Sequence, residues 1–232
     1  MASSDQTEVH GPATALKRKL PFKPRMSAAA RRQRIESAAG RLFAERGYEG
    51  TALEEVARAA GITRAVVYDH FGSKAALHCH LLELHTEQLL DSVSRSAATS
   101  ALTEERMRAG LDAFFGFVEQ DPFAWRMIFR DPPLDPEVLE VHRQIQRRAS
   151  ESIALLLRSG HVADRDPQYF EMLAEGFKWA TNGLAAWWYE HRDVPREHVV
   201  AMTMDLVWVG LGRLERGERW TNAATAARHP TR

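Results

Sequence analysis

From Ile35 to Leu214 an apolar residue returns every three or four positions, and only Gly, Pro and polar cap residues interrupt the pattern. That period gives an α-helix one continuous apolar face, whereas a half-buried strand needs strict alternation. No stretch alternates convincingly, so the chain reads as all-α. Length supports this: 232 residues bury a sizeable core in one or two small domains.

The punctuation sets the element order. Ile35, Ala38, Leu42 and Phe43 mark one face of a helix over about 27–46, and Gly47 follows its last turn. Thr51 with Glu54 three residues later fits a capping box, opening a short helix that stops at Gly61. A third helix runs from Thr63 to about His70, and Ser73 can cap a fourth that carries Leu77, Leu81 and Leu84. Longer helices follow: Thr103 to Gln120, Pro122 to Phe129, Glu137 to Arg158, Pro167 to about His191, and Arg196 to about Arg216. The expected layout is a basic arm over 1–26, a compact unit over 27–73, a larger helical unit over 74–217 and a tail over 218–232. The helix over 74–93 links the two units.

Charge is unevenly placed. Residues 1–80 hold thirteen Lys/Arg against eight Asp/Glu, and the remainder holds eighteen against twenty-three. Eight basic residues and no acidic one lie between Lys17 and Arg34. A basic end on a neutral chain fits a polyanion-binding region, with a solvated tail as the alternative for the first 25 residues. Cys79 is the only cysteine, so no intrachain disulfide forms. The N-terminus lacks the apolar core of a secretory signal, and the stretch from Val199 to Leu211 carries Asp205 and is too short to span a bilayer. A cytoplasmic protein without membrane association is expected. Nucleophile elbow, phosphate loop, paired zinc ligands and Rossmann glycines are all missing from the sequence, so no enzyme and no cofactor are expected.

The block from Leu53 to Lys74 carries the function. Leu53, Val56, Ala57 and Ala60 form a short apolar face, and the two small alanines let a second helix cross closely. Gly61 can adopt the left-handed conformation of a sharp helix end, with Ile62 anchoring the turn. Val67 and Phe71 then face inward, leaving Arg64, Ala65, Tyr68, Asp69 and His70 on the other side. Two short helices joined by a tight glycine turn make a helix-turn-helix, whose second helix enters the DNA major groove.

Here the sequence resembles the TetR family of regulators. The resemblance rests on Arg31-Arg32-Gln33-Arg34-Ile35, Ala38, Ala39, Leu42, Phe43, Gly47-Tyr48 and Thr51. It continues through Val56-Ala57, Ala60-Gly61-Ile62, Tyr68, His70-Phe71 and Lys74. It implies that Arg64, Ala65 and Val66 meet base edges, with Arg64 suited to guanine O6 and N7. It implies further DNA contacts from Arg31, Arg32, Thr51, Thr63, Tyr68, His70 and Lys74, chiefly to phosphate. Val66 stands where the family often has a small polar residue, and Asp69 is acidic on a face near phosphates.

The resemblance also implies a ligand pocket in the larger unit. Aromatic walls with a few polar groups suit one, and Phe114, Phe117, Trp125, Phe129 and Phe177 with Arg126, His142 and Asn182 are the candidates. The last two helices are apolar on two faces and so need two partners. Gly176, Ala180, Gly183 and Trp187, with Val200, Val207 and Leu211, are the expected surface of a homodimer four-helix interface, which the family also implies. His78, Cys79, His80 and His85 complete no ligand set, so no metal is expected. The expected function is a dimeric regulator of a palindromic operator in double-stranded DNA. By the family's usual action it is a repressor, released by an unknown small hydrophobic or amphipathic ligand.

Overall fold

The computed structural model describes residues 26–98, 103–130, 132–159 and 166–215. The arm before Met26 and the tail beyond 215 lie outside the described residues. Nine helices and no strand occur among the described residues: α1 Ala28–Arg46, α2 Leu53–Ala60, α3 Arg64–Phe71, α4 Lys74–Ala97, α5 Thr103–Gln120, α6 Pro122–Phe129, α7 Pro136–Ser159, α8 Pro167–Glu190 and α9 Arg196–Glu215.

The local causes are capping residues. Ser27 Oγ accepts from the Ala30 amide at 3.1 Å, and Ser73 Oγ accepts from the Ala76 amide at 2.9 Å. Asp121 accepts from Ala124 at 3.0 Å and is followed by Pro122, which needs no amide donor in the first turn. The start of α2 differs from the expected capping box. Its N-cap is Ala52, not Thr51, and Glu55, not Glu54, reaches back to the Ala52 amide at 3.2 Å. Thr51 is buried and donates its hydroxyl to the Gly47 carbonyl at 2.9 Å, which removes it from capping. The helix therefore starts one residue late, and Glu54 is turned outward toward α3.

Helices α1–α3 close on a small core of Ile35, Ala39, Leu42, Phe43, Val56, Ala57 and Val67. Helix α4 runs out of this core. Its Leu77, Leu81 and Leu82 pack with α1–α3, and Leu89 packs against the larger unit around Phe115, Trp125, Ile128 and Trp188. One cluster of buried side chains extends without a break from Ile35 in α1 to Val200 in α9. Burial of this apolar surface is the dominant stabilising term, and its continuity lets strain cross from one unit to the other.

Helices α8 and α9 pack against each other and against the rest of the bundle, each through one stripe. Phe170, Ala174, Thr181, Ala185 and Trp188 face inward on α8, and Val199, Val200 and Thr203 face inward on α9. Val207 is half-buried against Leu157, Phe170 and Ala174. Two of the residues expected on the partner-facing side of α9 are thus directed into the protomer. The reason is register: positions 199, 200, 203 and 207 form one helical stripe, and α5 and α8 cover it. The outward apolar residues of α9 are Met202, Leu206 and Val209. The Leu211 side chain lies outside the described residues.

Candidate DNA-binding interface and ligand cavity

Helix α2, a tight turn at Gly61 and α3 follow one another as expected. Gly61 has φ +68° and ψ 35°, a left-handed conformation, and its amide and that of Ile62 return to Arg58 and Ala57 carbonyls at 3.2 and 3.0 Å. Val67 is fully buried and fixes the roll of α3. Thr63, Arg64, Ala65, Tyr68 and Asp69 are exposed, while Val66 and His70 are half-buried.

The exposed face is preorganised by contacts among its own side chains. Arg64 forms a short ion pair with Glu54 of α2 and donates through Nη2 to the Tyr68 hydroxyl at 3.0 Å, its guanidinium 5.0 Å from the Tyr68 ring centre. The Tyr68 hydrogen bond, then the Glu54 charge, push the Arg64 pKa above its ordinary value. Glu54 was not among the expected site residues; its position ten residues before Arg64, at a helix start, gave no signal without the crossing geometry.

Behind α3 lies a polar cleft walled by Glu49, Gly50, Thr51, Ala52, Leu53, Glu54, Glu55, Tyr68, Ser73 and Lys74. The N-terminus of α2 opens into it and its helix dipole favours an anion, while Glu55 already accepts from the Ala52 amide and three carboxylates line the cleft. Lys74 stands at its edge, Nζ donating to the Tyr48 carbonyl at 3.0 Å and lying 4.2 Å from the Tyr48 ring centre. Other expected contacts are tied back to the protein. Arg31 donates to the Met26 carbonyl at 2.6 Å, and Arg32 pairs with Glu36 at 3.1 Å while stacking on Phe71.

Tyr48 also reaches the larger unit. Its hydroxyl donates to Asp135 Oδ2 at 3.1 Å, and Asp135 Oδ1 caps α7 by accepting from Glu137 at 3.0 Å. Burial, then this hydrogen bond, push the Tyr48 phenol above its ordinary range. His78 lies edge-on to both Phe43 and Tyr48, at 4.9 and 5.0 Å, and neither ring nitrogen has a hydrogen-bond partner among the described residues. Burial, then the Lys74 charge, push its pKa down to about 4. The neighbouring histidines go elsewhere: His80 contacts Glu36 at 2.7 Å and His85 lies 3.7 Å from Asp121.

A cavity of about 150 Å³ lies between α4, α5, α7 and α8. It is walled by Leu89, Leu90, Val93, Met107, Leu111, Phe114, Phe129, Ile153, Leu157 and Phe177, with Arg106, Lys178, Thr181 and Asn182 as the polar members. Of the eight sequence candidates, Phe114, Phe129, Phe177 and Asn182 line it. Phe117 opens instead on a polar surface groove with Gln88 and Arg196. Trp125 is core and donates to Asn182 Oδ1 at 3.1 Å; His142 is hydrogen-bonded to the Ile128 carbonyl at 2.7 Å; Arg126 lies near the Tyr189 ring. Aromatic density alone therefore marked the region but not the walls, most of which are aliphatic. Lys178 is buried, and its ammonium is held by Ser150 Oγ at 2.7 Å and Glu175 at 2.9 Å. The Ser150 hydrogen bond, then Lys178, hold the Glu175 carboxyl below its usual range against the opposing effect of burial.

On the opposite side of α8, Met172, Gly176, Trp179, Gly183 and Trp187 form an exposed stripe, continued on α9 by Met202, Leu206 and Val209. Trp179 is 65% exposed. Ala180 is half-buried at its edge.

Residues 35–78 match the model described as bacterial regulatory proteins, tetR family, and residues 103–210 match a tetracyclin repressor-like C-terminal domain. The chain is 30% identical over 190 residues to the transcriptional regulator MftR of Mycobacterium tuberculosis, covering 78% of this chain and 90% of that protein. It is 29% identical over 188 residues to the HTH-type transcriptional activator FasR of Mycolicibacterium smegmatis, covering 79% and 84%. A TetR-like transcriptional regulator from Rhodococcus sp. RHA1 superposes with TM-score 0.67 at 24% identity, over 81% of this chain and 99% of that one. The crystal structure of AibR in complex with isovaleryl coenzyme A and operator DNA gives TM-score 0.60 at 21% identity, over 76% and 98%.

Proposed function

The chain belongs to the TetR family of DNA-binding transcription regulators, and on that premise we propose that it is a homodimeric repressor released from a palindromic operator by a small ligand held between α4, α5, α7 and α8. The observation that carries this is the position of α4. Its N-cap, Ser73, stands two residues after the end of the recognition helix α3, and its far half walls the apolar cavity through Leu89, Leu90 and Val93. A ligand that wedges α4 against α7 changes the direction of α3, and a dimer tolerates little change in the spacing of its two recognition helices.

Within the interface Arg64 reads a guanine, Ala65 and Val66 meet thymine methyls, and Thr63, Tyr68, His70 and Lys74 fix register on phosphates, with the α2 N-terminus near Thr51 as a further phosphate seat. Arg31 and Arg32 add charge at the start of α1. The dimer forms through the exposed α8–α9 stripe, where Gly176 and Gly183 let a partner helix approach and Trp187 fills the edge. The 27–73 unit binds DNA, and the 74–217 unit senses and dimerises. The solved AibR complex, with an acyl coenzyme A and operator DNA on a similar fold, supports a ligand–operator linkage.

The test fills the cavity from within. Ala149 lies on its α7 wall, and Ala149→Phe occupies ligand space. Anisotropy titration of an operator duplex selected from a random pool is expected to show weaker binding by a folded Ala149→Phe dimer. Unchanged operator affinity in that variant contradicts release through this cavity. Run-off transcription with the operator placed in a promoter then sets the sign: repression is expected, and stimulation overturns it.

A further inference from the structure

One polar atom in the cavity wall has no function inside the protomer. Thr181 is 4% exposed and lines the cavity on α8, and its hydroxyl has no hydrogen-bond partner among the described residues. Its two polar neighbours on α8 are engaged, while Arg106 lies half-buried on the α5 wall. Lys178 is held by Ser150 and Glu175, and Asn182 accepts from Trp125 and donates to the Lys178 carbonyl at 2.9 Å. The contrast with two other buried threonines is informative. Thr86 and Thr203 each return their hydroxyl to the carbonyl four residues earlier, at 2.7 Å, the ordinary solution for a threonine inside a helix. Thr181 does not, although the surrounding stripe of Phe177, Ala185 and Trp188 is apolar and valine would fit the same shape. A buried hydroxyl without a partner is costly, and native proteins keep few of them.

We infer that Thr181 is the specificity-determining contact of the ligand cavity, and that the ligand is an apolar molecule carrying one neutral hydrogen-bonding group, a carbonyl or a hydroxyl, deep within its body. Beside Thr181 on α8 the buried cation Lys178 is already neutralised by Glu175, so the group that meets the Thr181 hydroxyl, which both donates and accepts, is a neutral one; Arg106, half-buried on the α5 wall, is left to face any charged end of the ligand. An apolar ligand without such a group leaves the hydroxyl unsatisfied and is discriminated against for that reason. This rests on the reading of the cavity as the ligand site given above.

The experiment uses two probes of matched shape, butyrophenone and n-butylbenzene, which differ by a carbonyl in place of a methylene. Binding to the full-length protein is read by calorimetry. The natural protein is expected to prefer the ketone by roughly fivefold or more. Thr181→Val is expected to invert that preference and, with no probe present, to raise the melting temperature by about 2–4 °C as the unpaired hydroxyl is lost. Thr181→Ser keeps the hydroxyl and is expected to keep the preference for the ketone, which covers the case of a poorly folded valine variant. A fall in melting temperature for Thr181→Val, an unchanged preference, or failure of both probes to bind overturns the inference. Probe binding with the expected preference but no effect on operator affinity leaves Thr181 as the anchor and instead contradicts ligand-driven release.

Discussion

The guanidinium of Arg64 lies over the ring of Tyr68 and donates to its hydroxyl at 3.0 Å. Glu54 completes the pair from α2. The side chain proposed to read a base is thereby held along the outer face of α3, and it must exchange Glu54 for DNA on binding. Exposed ion pairs are weak, so the exchange costs little. Arg64→Ala is expected to remove roughly 1–3 kcal/mol of discrimination at one position of each half-site. Glu54→Gln, which removes an anion from the DNA face, is expected to tighten binding to all duplexes. Competition binding against single-base operator variants separates the two; equal weakening of every variant by Arg64→Ala makes Arg64 a phosphate contact.

Tyr48 connects the two units through one hydroxyl. Tyr48→Phe removes its hydrogen bond to Asp135 and keeps the ring that supports Lys74. A loss of about 1 kcal/mol in urea unfolding is expected. Asp135→Ala also uncaps α7 and is expected to cost about twice as much. Equal costs for the two variants contradict a dual role for Asp135. Lys74→Ala is expected to weaken selected and random DNA by a similar factor, since phosphate contacts carry no sequence information.

Most of the helices were legible because each boundary carries its own chemistry: Ser27, Ser73, Asp121, Pro122 and Pro167 are caps or first-turn residues whose effect is local. The start of α2 lies one residue beyond the expected cap because Thr51 bonds backward to Gly47, a competition that depends on the turn before it. The inward direction of Val200 was hidden for a different reason. Both faces of α9 are apolar, and only the packing of α5 decides which one is buried. Thr181 had a faint signature, a polar residue in the stripe from Phe177 to Trp188, but sequence does not say whether its hydroxyl finds a carbonyl. The Arg64–Glu54 pair comes from the crossing of α2 and α3, and the Tyr48–Asp135 bond joins two turns far apart in the chain, so neither has a local signal.

Gly183 sits on the exposed side of α8, and a side chain built there meets nothing within the protomer. Gly183→Arg is therefore expected to fold normally and to clash only with a partner. Light scattering at micromolar concentration is expected to show a monomer with native circular dichroism. A stable Gly183→Arg dimer places the interface elsewhere.

His78 makes stability acid-sensitive. Its pKa is about 4 in the folded protein against 6.5 when exposed, because burial disfavours the charged ring. The unfolded chain therefore binds the extra proton between those values. Stability is intact above about pH 6.5 and falls as pH drops toward 4, with about 2 kcal/mol lost between pH 7 and pH 5. His142, also pushed down by burial, acts in the same direction. In urea titrations at the two pH values, His78→Leu is expected to lose most of this dependence; an unchanged dependence assigns it to other groups.

The most direct measurement is selection of duplexes from a random pool by the full-length protein, followed by affinity for the selected and random sequences at one fixed salt concentration. The expected result is a two-fold symmetric site with half-sites about one DNA turn apart, bound on the order of a thousandfold more tightly than random duplex. Absence of any enriched sequence, or equal affinity for selected and random DNA, contradicts sequence reading by α3.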